Sequence, residues 1–155
     1  MAKLVSLNQL KIIKKKSEKK KLIGLCHGAF DVLHNGHLEH FKEAKKNIDI
    51  LVVSVTGDKF IFKGPNQPYN NEADRAKFLL YIENIDYVII DQNLTAEKII
   101  NNLKPDFYIK GKDYSRKDIT NNLDKEIKIL KKNGGKLLIT KTKLLSSTKI
   151  INNIH

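Results

Sequence analysis

Leu22-Ile23-Gly24-Leu25-Cys26-His27-Gly28 leads through Ala29-Phe30-Asp31-Val32-Leu33 into His34-Asn35-Gly36-His37. Leu22–Cys26 is a short apolar run bounded by glycine, the usual signature of a buried strand. Gly28 then allows a sharp turn and brings backbone N–H groups close to a ligand. From Gly36 onward Leu38, Phe41 and Ala44 recur at helical spacing, with Glu39, Lys42, Glu43 and Lys45 on the other side. The stretch predicts a strand, a tight turn and a helix. His34 and His37 fall at or just before the helix start, where free N–H groups and the helix dipole favour phosphate.

A lone histidine in such a place is more often a cap or a packed side chain than a functional group. Two of them, flanking Asn35-Gly36 just after a strand-to-helix turn, point instead to a polyphosphate grip. In nucleotidyl transfer an anionic nucleophile attacks the α-phosphorus of a nucleoside triphosphate in line, and pyrophosphate leaves. That reaction needs little covalent help, so positioning and donors aimed at the phosphoryl oxygens carry most of it. A histidine pair supplies such donors without a permanent charge.

Working outward, strands and helices alternate. Ile48–Val55, Asp86–Ile90, Phe107–Lys110 and Lys136–Thr140 read as strands. Glu72–Glu83, carrying Ala73, Ala76, Leu79, Leu80 and Ile82, reads as an amphipathic helix; so do Thr95–Leu103 and Ile119–Asn133, which Pro105 and Gly134-Gly135 help end. Ser146–Ile154 starts with hydroxyl residues suited to a helix N-cap. This order predicts an α/β fold, a parallel sheet with helices on both faces and ligands at the carboxyl ends of its strands.

Composition bounds the function. A chain of 155 residues, 41% of them hydrophobic, suits one nucleotide-handling domain over residues 1–155 and does not read as disordered. No apolar run approaches the roughly 20 residues that cross a bilayer. The N-terminus lacks a signal-peptide pattern, so cytoplasmic residence is the expectation. Cys26 is the only cysteine, which excludes an internal disulfide and reads as a buried strand residue rather than a nucleophile.

The net charge of +12 invites a nucleic-acid reading. Much of the excess lies in Lys11, Lys14-Lys15-Lys16 and Lys19-Lys20-Lys21. Leu7, Leu10, Ile13 and the stem of Lys14 make one helical face there, so residues 1–20 read as a basic helix packed on the domain with its lysines solvated. Aromatic residues are not interleaved as a single-strand platform would require, which disfavours specific nucleic-acid binding. A basic RNA- or polyanion-binding module remains the non-enzyme alternative.

Gly28-Ala29-Phe30-Asp31-Val32-Leu33-His34-Asn35-Gly36-His37 resembles the Gly-x-Phe-Asp-x-x-His-x-Gly-His motif of the cytidylyltransferase-like nucleotidyltransferases. Lys110-Gly111-Lys112-Asp113-Tyr114 is similar to the Lys-Gly-x-Asp-Tyr segment in the adenylyltransferase domain of heptose-phosphate kinase/adenylyltransferases. Ser146-Ser147-Thr148-Lys149-Ile150 resembles the superfamily's closing motif. The opening Leu4–Leu10, basic helix and first strand also match how those domains begin. The resemblance implies the Rossmann-like HxGH nucleotidyltransferase fold and, by analogy, a homodimer and a separate sugar kinase acting in the same pathway.

It also implies roles. His34, His37, Lys63 and Thr148 would be catalytic. Gly28, Ala29, Phe30, Asp31, Gly36, Arg75, Lys110, Gly111, Asp113, Lys141, Ser146 and Ser147 would bind the nucleotide. Backbone N–H groups at Ala29 and Phe30 would meet the triphosphate, and Asp31 would either orient the turn or a histidine, or cap the helix approach. Lys63, in the Gly/Pro-rich stretch Lys63–Pro68, would swing a cation onto substrate phosphates; Lys59 is the second candidate. Arg75 has an ordinary surface ion pair as its bland alternative, and Ser146–Thr148 a plain N-cap.

The departures fall on the acceptor side. Gln67 stands where the family's loop has Arg, and Gln92 where glycerol-3-phosphate cytidylyltransferases have Lys. Lys141-Thr142-Lys143-Leu144-Leu145 replaces their Arg-Thr-Glu-Gly-Ile; Lys for Arg keeps the charge and loses the bidentate fork. The expected reaction is transfer of AMP, favoured over CMP, from a nucleoside triphosphate to a sugar phosphate for cell-surface polysaccharide precursors. A cytidylyltransferase of glycerol-3-phosphate or another polyol or aminoalkyl phosphate is the alternative. Mg²⁺ is expected on the substrate phosphates, with no residue assigned as its ligand.

Overall fold

The six strands run parallel in one sheet. They are β1 (Lys3–Leu4), β2 (Ile23–Gly28), β3 (Ile50–Thr56), β4 (Tyr87–Asp91), β5 (Phe107–Lys110) and β6 (Lys136–Ile139), ordered β1-β4-β3-β2-β5-β6. The helices are α1 (Leu7–Ser17), α2 (Asn35–Lys45), α3 (Glu72–Leu80), α4 (Glu97–Leu103) and α5 (Asn122–Lys132). This computed structural model describes residues 1–17, 20–112, 114, 122–142, 151 and 153. Of the expected closing helix only Ile151 and Asn153, both helical, are described; Asp113, Ser146, Ser147 and Thr148 lie outside the described residues.

Side-chain alternation along the inner strands sends apolar groups to both faces, as a doubly covered parallel sheet requires. Cys26, Val53, Val55 and Ile109 face α2 and α3, which contribute Phe41, Ala44, Ala76 and Leu79. Leu25, Val52, Ile89 and Tyr108 face α1, α4 and α5, which contribute Leu10, Ile99, Ile100, Leu103 and Leu130. The sheet is thus the doubly covered parallel one the alternation predicts, and Rossmann-like as the resemblance implies. No helix among the described residues is long and apolar enough to cross a membrane.

Local signals explain the element ends. Ser6 and Gln9 form a reciprocal cap at the start of α1, Ser6 N donating to Gln9 Oε1 at 2.7 Å and Gln9 N to Ser6 Oγ at 3.3 Å. Asn71 caps α3 through Asp74 N, and Gly134 follows α5 at φ 84°, a conformation cheap only for glycine. Glu126 of α5, buried, accepts from Ala96 N at the start of α4 and from Tyr108 Oη of β5. One carboxylate therefore ties two helices to the sheet.

Two helical faces differ from the sequence reading. On α2 the buried residues are Gly36, His40, Phe41 and Ala44, while Leu38 is 44% exposed. On α3 Arg75, Ala76 and Leu79 are buried and Ala73 is exposed. In both helices a polar residue takes a core-facing slot because it has partners there. The short edge strand β1 was not expected either; two residues carry too little pattern to read. The basic helix, expected over residues 1–20, spans Leu7–Ser17 behind strand β1; in it Leu10 is buried, Lys11, Lys15 and Lys16 are exposed, and Lys14 lies 3.7 Å from Asp106.

Chain order sets the site. From β2 the sheet grows through β3 and β4 on one side; β5 and β6 lie on the other. Between β2 and β5 the strand order reverses, and it is at the carboxyl ends beside such a reversal that open parallel sheets hold their ligands. The histidine motif leaves β2 at that edge, and Lys110 ends β5 beside it.

Candidate active site

His34 is the N-cap of α2. Its backbone is extended and its Nδ1 accepts from Gly36 N at 3.1 Å. With Nδ1 used as an acceptor, the neutral ring carries its proton on Nε2, which makes that atom a donor. His37, one turn on, stacks against His34 at a centroid distance of 4.0 Å and meets the Phe30 ring edge-on at 5.7 Å. His37 Nδ1 is buried without a hydrogen-bond partner. Burial, then the neighbouring His34, His40 and Lys63, pushes the His37 pKa down to about 3. The ring is neutral at physiological pH.

The turn that presents this pair is strained and braced. Phe30 sits at φ 50°, a region non-glycine residues enter only when their surroundings hold them there. A Cβ on Gly28 would come within 3.2 Å of the Phe30 ring, so glycine makes room for that ring. Asp31 neither caps the helix nor touches a histidine. Its two oxygens accept from Tyr69 N at 2.6 Å and Asn70 N at 2.8 Å, and its carbonyl accepts from Asn70 Nδ2 at 2.8 Å. Asp31 thus orients the loop between β3 and α3 against the turn.

Arg75 is buried outright, not at the surface as its bland reading had it. Its Nε donates to Asn70 O at 3.0 Å, its Nη1 to Ala29 O, and its Nη2 pairs with Asp58 at 2.6 Å. Asp58 N donates to Glu72 at 2.8 Å, and Glu72 accepts from Gln92. The guanidinium is therefore directed at the protein's own acceptors and clamps the β2 turn to the β3–α3 loop. The resemblance implied a nucleotide role for it; the structure sets it behind the turn at Ala29, with its nitrogens on the protein's own acceptors.

Lys110 is directed inward as well. It is 3% exposed, donates to His27 O at 2.9 Å, and stands 3.9 Å from the Tyr114 ring centroid and 4.6 Å from that of Tyr108. Its charge and, chiefly, burial push His27 down to about 3 and His40 down to about 4. Gly111 follows it, buried, with its carbonyl accepting from Tyr114 N. Lys141 is exposed, and its backbone N is held by Glu43 of α2 at 2.9 Å.

Lys63 is exposed on the loop, near enough for its charge to depress His37. Lys59 is exposed in a 3₁₀ turn over Asp58–Phe60. Gly36 is buried in the first turn of α2, and Ala29, half-buried, offers its carbonyl to Arg75.

Sequence reasoning missed a buried relay. Cys26 Sγ lies 3.4 Å from His40 Nε2, and His40 Nδ1 lies 2.7 Å from Thr140 Oγ1, which reaches Lys110 O at 3.4 Å. If Thr140 donates to that carbonyl, His40 donates from Nδ1 and accepts at Nε2, a single consistent tautomer. Burial pushes Cys26 up to about 12, so it is the inert strand residue expected. The signal available beforehand was spacing: His40 follows His37 by three residues, on one helix face.

No group of three or more His, Cys, Asp or Glu side chains that could hold a metal occurs among the described residues. What the site offers is two adjacent imidazoles at a helix N-terminus, a braced turn and a loop lysine. Anionic oxygens are what such a set receives.

Comparison with known proteins agrees with this geometry. The cytidylyltransferase-like family model matches residues 25–153. The bifunctional protein HldE of Campylobacter fetus is 35% identical over 155 residues, covering 98% of this chain. The chain spans only about three tenths of the length of the curated relatives it matches. A lipopolysaccharide core biosynthesis protein from Thermoplasma volcanium superposes with a TM-score of 0.64 at 25% identity, covering 81% of this chain and 99% of that one. Pantothenate synthetase from Thermus thermophilus shares the fold alone, with a TM-score of 0.67 at 14% identity over 97% of this chain and 67% of its own. With its motif, its sheet order and these matches, the chain belongs to the cytidylyltransferase-like family of nucleotidyltransferases.

Proposed function

We propose that this protein transfers a nucleotidyl group, AMP in preference to CMP, from a nucleoside triphosphate to a sugar phosphate, as a step toward cell-surface polysaccharide. An oxygen of the acceptor phosphate attacks the α-phosphorus, the bond to the bridging oxygen breaks, and pyrophosphate leaves with that electron pair. The observation that carries this reading is the stacked His34–His37 pair at the N-terminus of α2, beside the strand-order reversal. Its ring donors suit the charge that builds on the phosphoryl oxygens in the transition state. Arg75 and Asp31 hold the turn and the loop together, and Lys63 supplies a mobile cation. Similarity to HldE supports the sugar-phosphate acceptor and the adenylyl choice.

Mg²⁺ fits as a passenger on the triphosphate. The site's donors are imidazoles, which a hard cation disfavours, and among the described residues it has no carboxylate cluster to form a cage. Bound there, the ion would neutralise phosphate charge. Thr148, Ser146, Ser147 and Asp113 keep the nucleotide roles their motifs imply. We also propose a homodimer in the cytoplasm, supplied with acceptor by a separate kinase.

The test is pyrophosphate release from ATP and from CTP, each with Mg²⁺ and a panel of sugar, polyol and aminoalkyl phosphates. Release from ATP with a sugar phosphate is the expected result. Release from CTP with glycerol-3-phosphate would move the protein to the cytidylyl branch. Neither release nor triphosphate binding would overturn the reading.

A further inference from the structure

A cavity of about 290 Å³ opens at the carboxyl end of β4, between the β1–α1 corner and the turn into α4. Asp91 lies in its lining and is 1% exposed. Its backbone carbonyl accepts from Gly57 N at 2.9 Å and its Oδ1 from Asn93 Nδ2 at 2.6 Å. Its Oδ2 is buried with no hydrogen-bond partner. Native folds seldom leave a carboxylate oxygen in that condition, because its desolvation then goes uncompensated. A donor from outside the chain would complete it.

The surroundings narrow the donor's chemistry. Asp91 is the one carboxylate among the described lining residues, so there is no cage for a metal ion. Lys98 also lines the cavity and already supplies the carboxylate with positive charge, which weighs against a cationic ligand. Ser6 adds a hydroxyl and Asn93 an amide, while Leu7 and Ile99 provide apolar wall. Neutral donors spaced along a C–H-bearing frame match this lining. We propose that the cavity receives the hydroxyl-rich body of a sugar or polyol.

Register connects it with the histidine site. Gly28 aligns with Val55 and Val55 with Ile90, so Asp91 stands one residue beyond the β2 turn, two strands away. Two strand spacings are roughly 10 Å; Asp91 shares the Ile89 face, under α1 and α4, and the histidines begin α2 on the other, so a sugar phosphate reaching both would cross the carboxyl edge of the sheet. The ligand is then the acceptor itself, its phosphate at the histidines and its hydroxyls at Asp91. This step rests on the transfer reading above.

The test is a titration of the isotopically labelled protein with mannose, with mannose 1-phosphate and with inorganic phosphate, followed by amide NMR shifts. Both sugars are expected to move Ser6, Asn93 and Lys98, and inorganic phosphate to leave them in place. Asp91→Asn, which keeps the shape, and Asn93→Ala should each weaken mannose binding, the former about tenfold. Melting shifts with Mg-ATP on the wild type and the same variants report the nucleotide site separately, so an absent ATP response in the wild type counts against the transfer reading alone. Sugars that move only residues around His34 and His37, or none at all, overturn the subsite. Unchanged sugar affinity in Asp91→Asn and Asn93→Ala overturns it equally.

Discussion

Arg75 and His37 stand on opposite sides of one tight turn, and both are polar groups turned into the protein. Arg75 has three distinct nitrogens on three protein acceptors; His37 has a buried nitrogen with none. The difference separates frame from site. A satisfied buried group holds a shape, whereas an unsatisfied one marks where something else is to bind. The same contrast recurs along the sheet, where Glu126 uses both carboxylate oxygens within the fold and Asp91 leaves one over.

The contrast can be broken most forcefully at the frame. Arg75→Ala should destabilise the fold by about 3 kcal/mol, because it strands Asp58 and two carbonyls. Asp58 keeps some access to water, which holds the loss to the lower end of the range for buried pairs. Arg75→Lys should recover part of it, since a point charge cannot reach all three acceptors. Chemical denaturation measures both. A variant as stable as the wild type would mean that the clamp is not a clamp.

His34→Ala removes a helix cap together with a donor. Turnover should fall by about two powers of ten, while stability falls by only about 1 kcal/mol, the worth of a cap. A loss of stability without loss of turnover would place His34 in the frame beside Arg75.

Acid sharpens the comparison next. His27, His37 and His40 have folded pKa values near 3, 3 and 4, below the ordinary value of 6.5. The unfolded chain therefore binds more protons between pH 6.5 and 3. The stability these neutral rings contribute is present above pH 6.5 and is lost as pH falls through that window. Melting temperature against pH should drop more steeply for the wild type than for His40→Gln. Parallel curves would remove His40 from the set.

The smallest expected effect is in the loop. Lys63→Ala should raise the apparent substrate requirement and lower turnover more than Lys59→Ala does, and Lys63→Arg should rescue in part. Steady-state kinetics on the three variants decides it, and equal alanine variants would erase the distinction between the two lysines.

What the sequence made legible was pattern. Leu22–Cys26 and the β-branched runs announced the strands, Gly134-Gly135 the end of α5, and the histidine spacing the paired imidazoles at the start of α2, since each signal is local. What it hid was partnership. Nothing near Arg75 in the chain shows that Ala29 O lies 46 residues away and within reach, and Thr140 sits 100 residues from His40. Apolar periodicity misassigned Leu38 and Ala73 for the same reason: a polar residue with a distant partner outcompetes an apolar one for the inner slot. The β4 cavity was equally invisible, because it is made by a two-residue edge strand and a turn far along the chain.

The most direct test measures triphosphate affinity and pyrophosphate release on one preparation of His37→Ala beside the wild type, with Mg-ATP and a sugar phosphate at saturation. If the unpartnered imidazole serves the transition state, release falls by about two to three powers of ten while affinity for the triphosphate changes far less. Release at the wild-type rate would contradict the account, returning His37 to the frame.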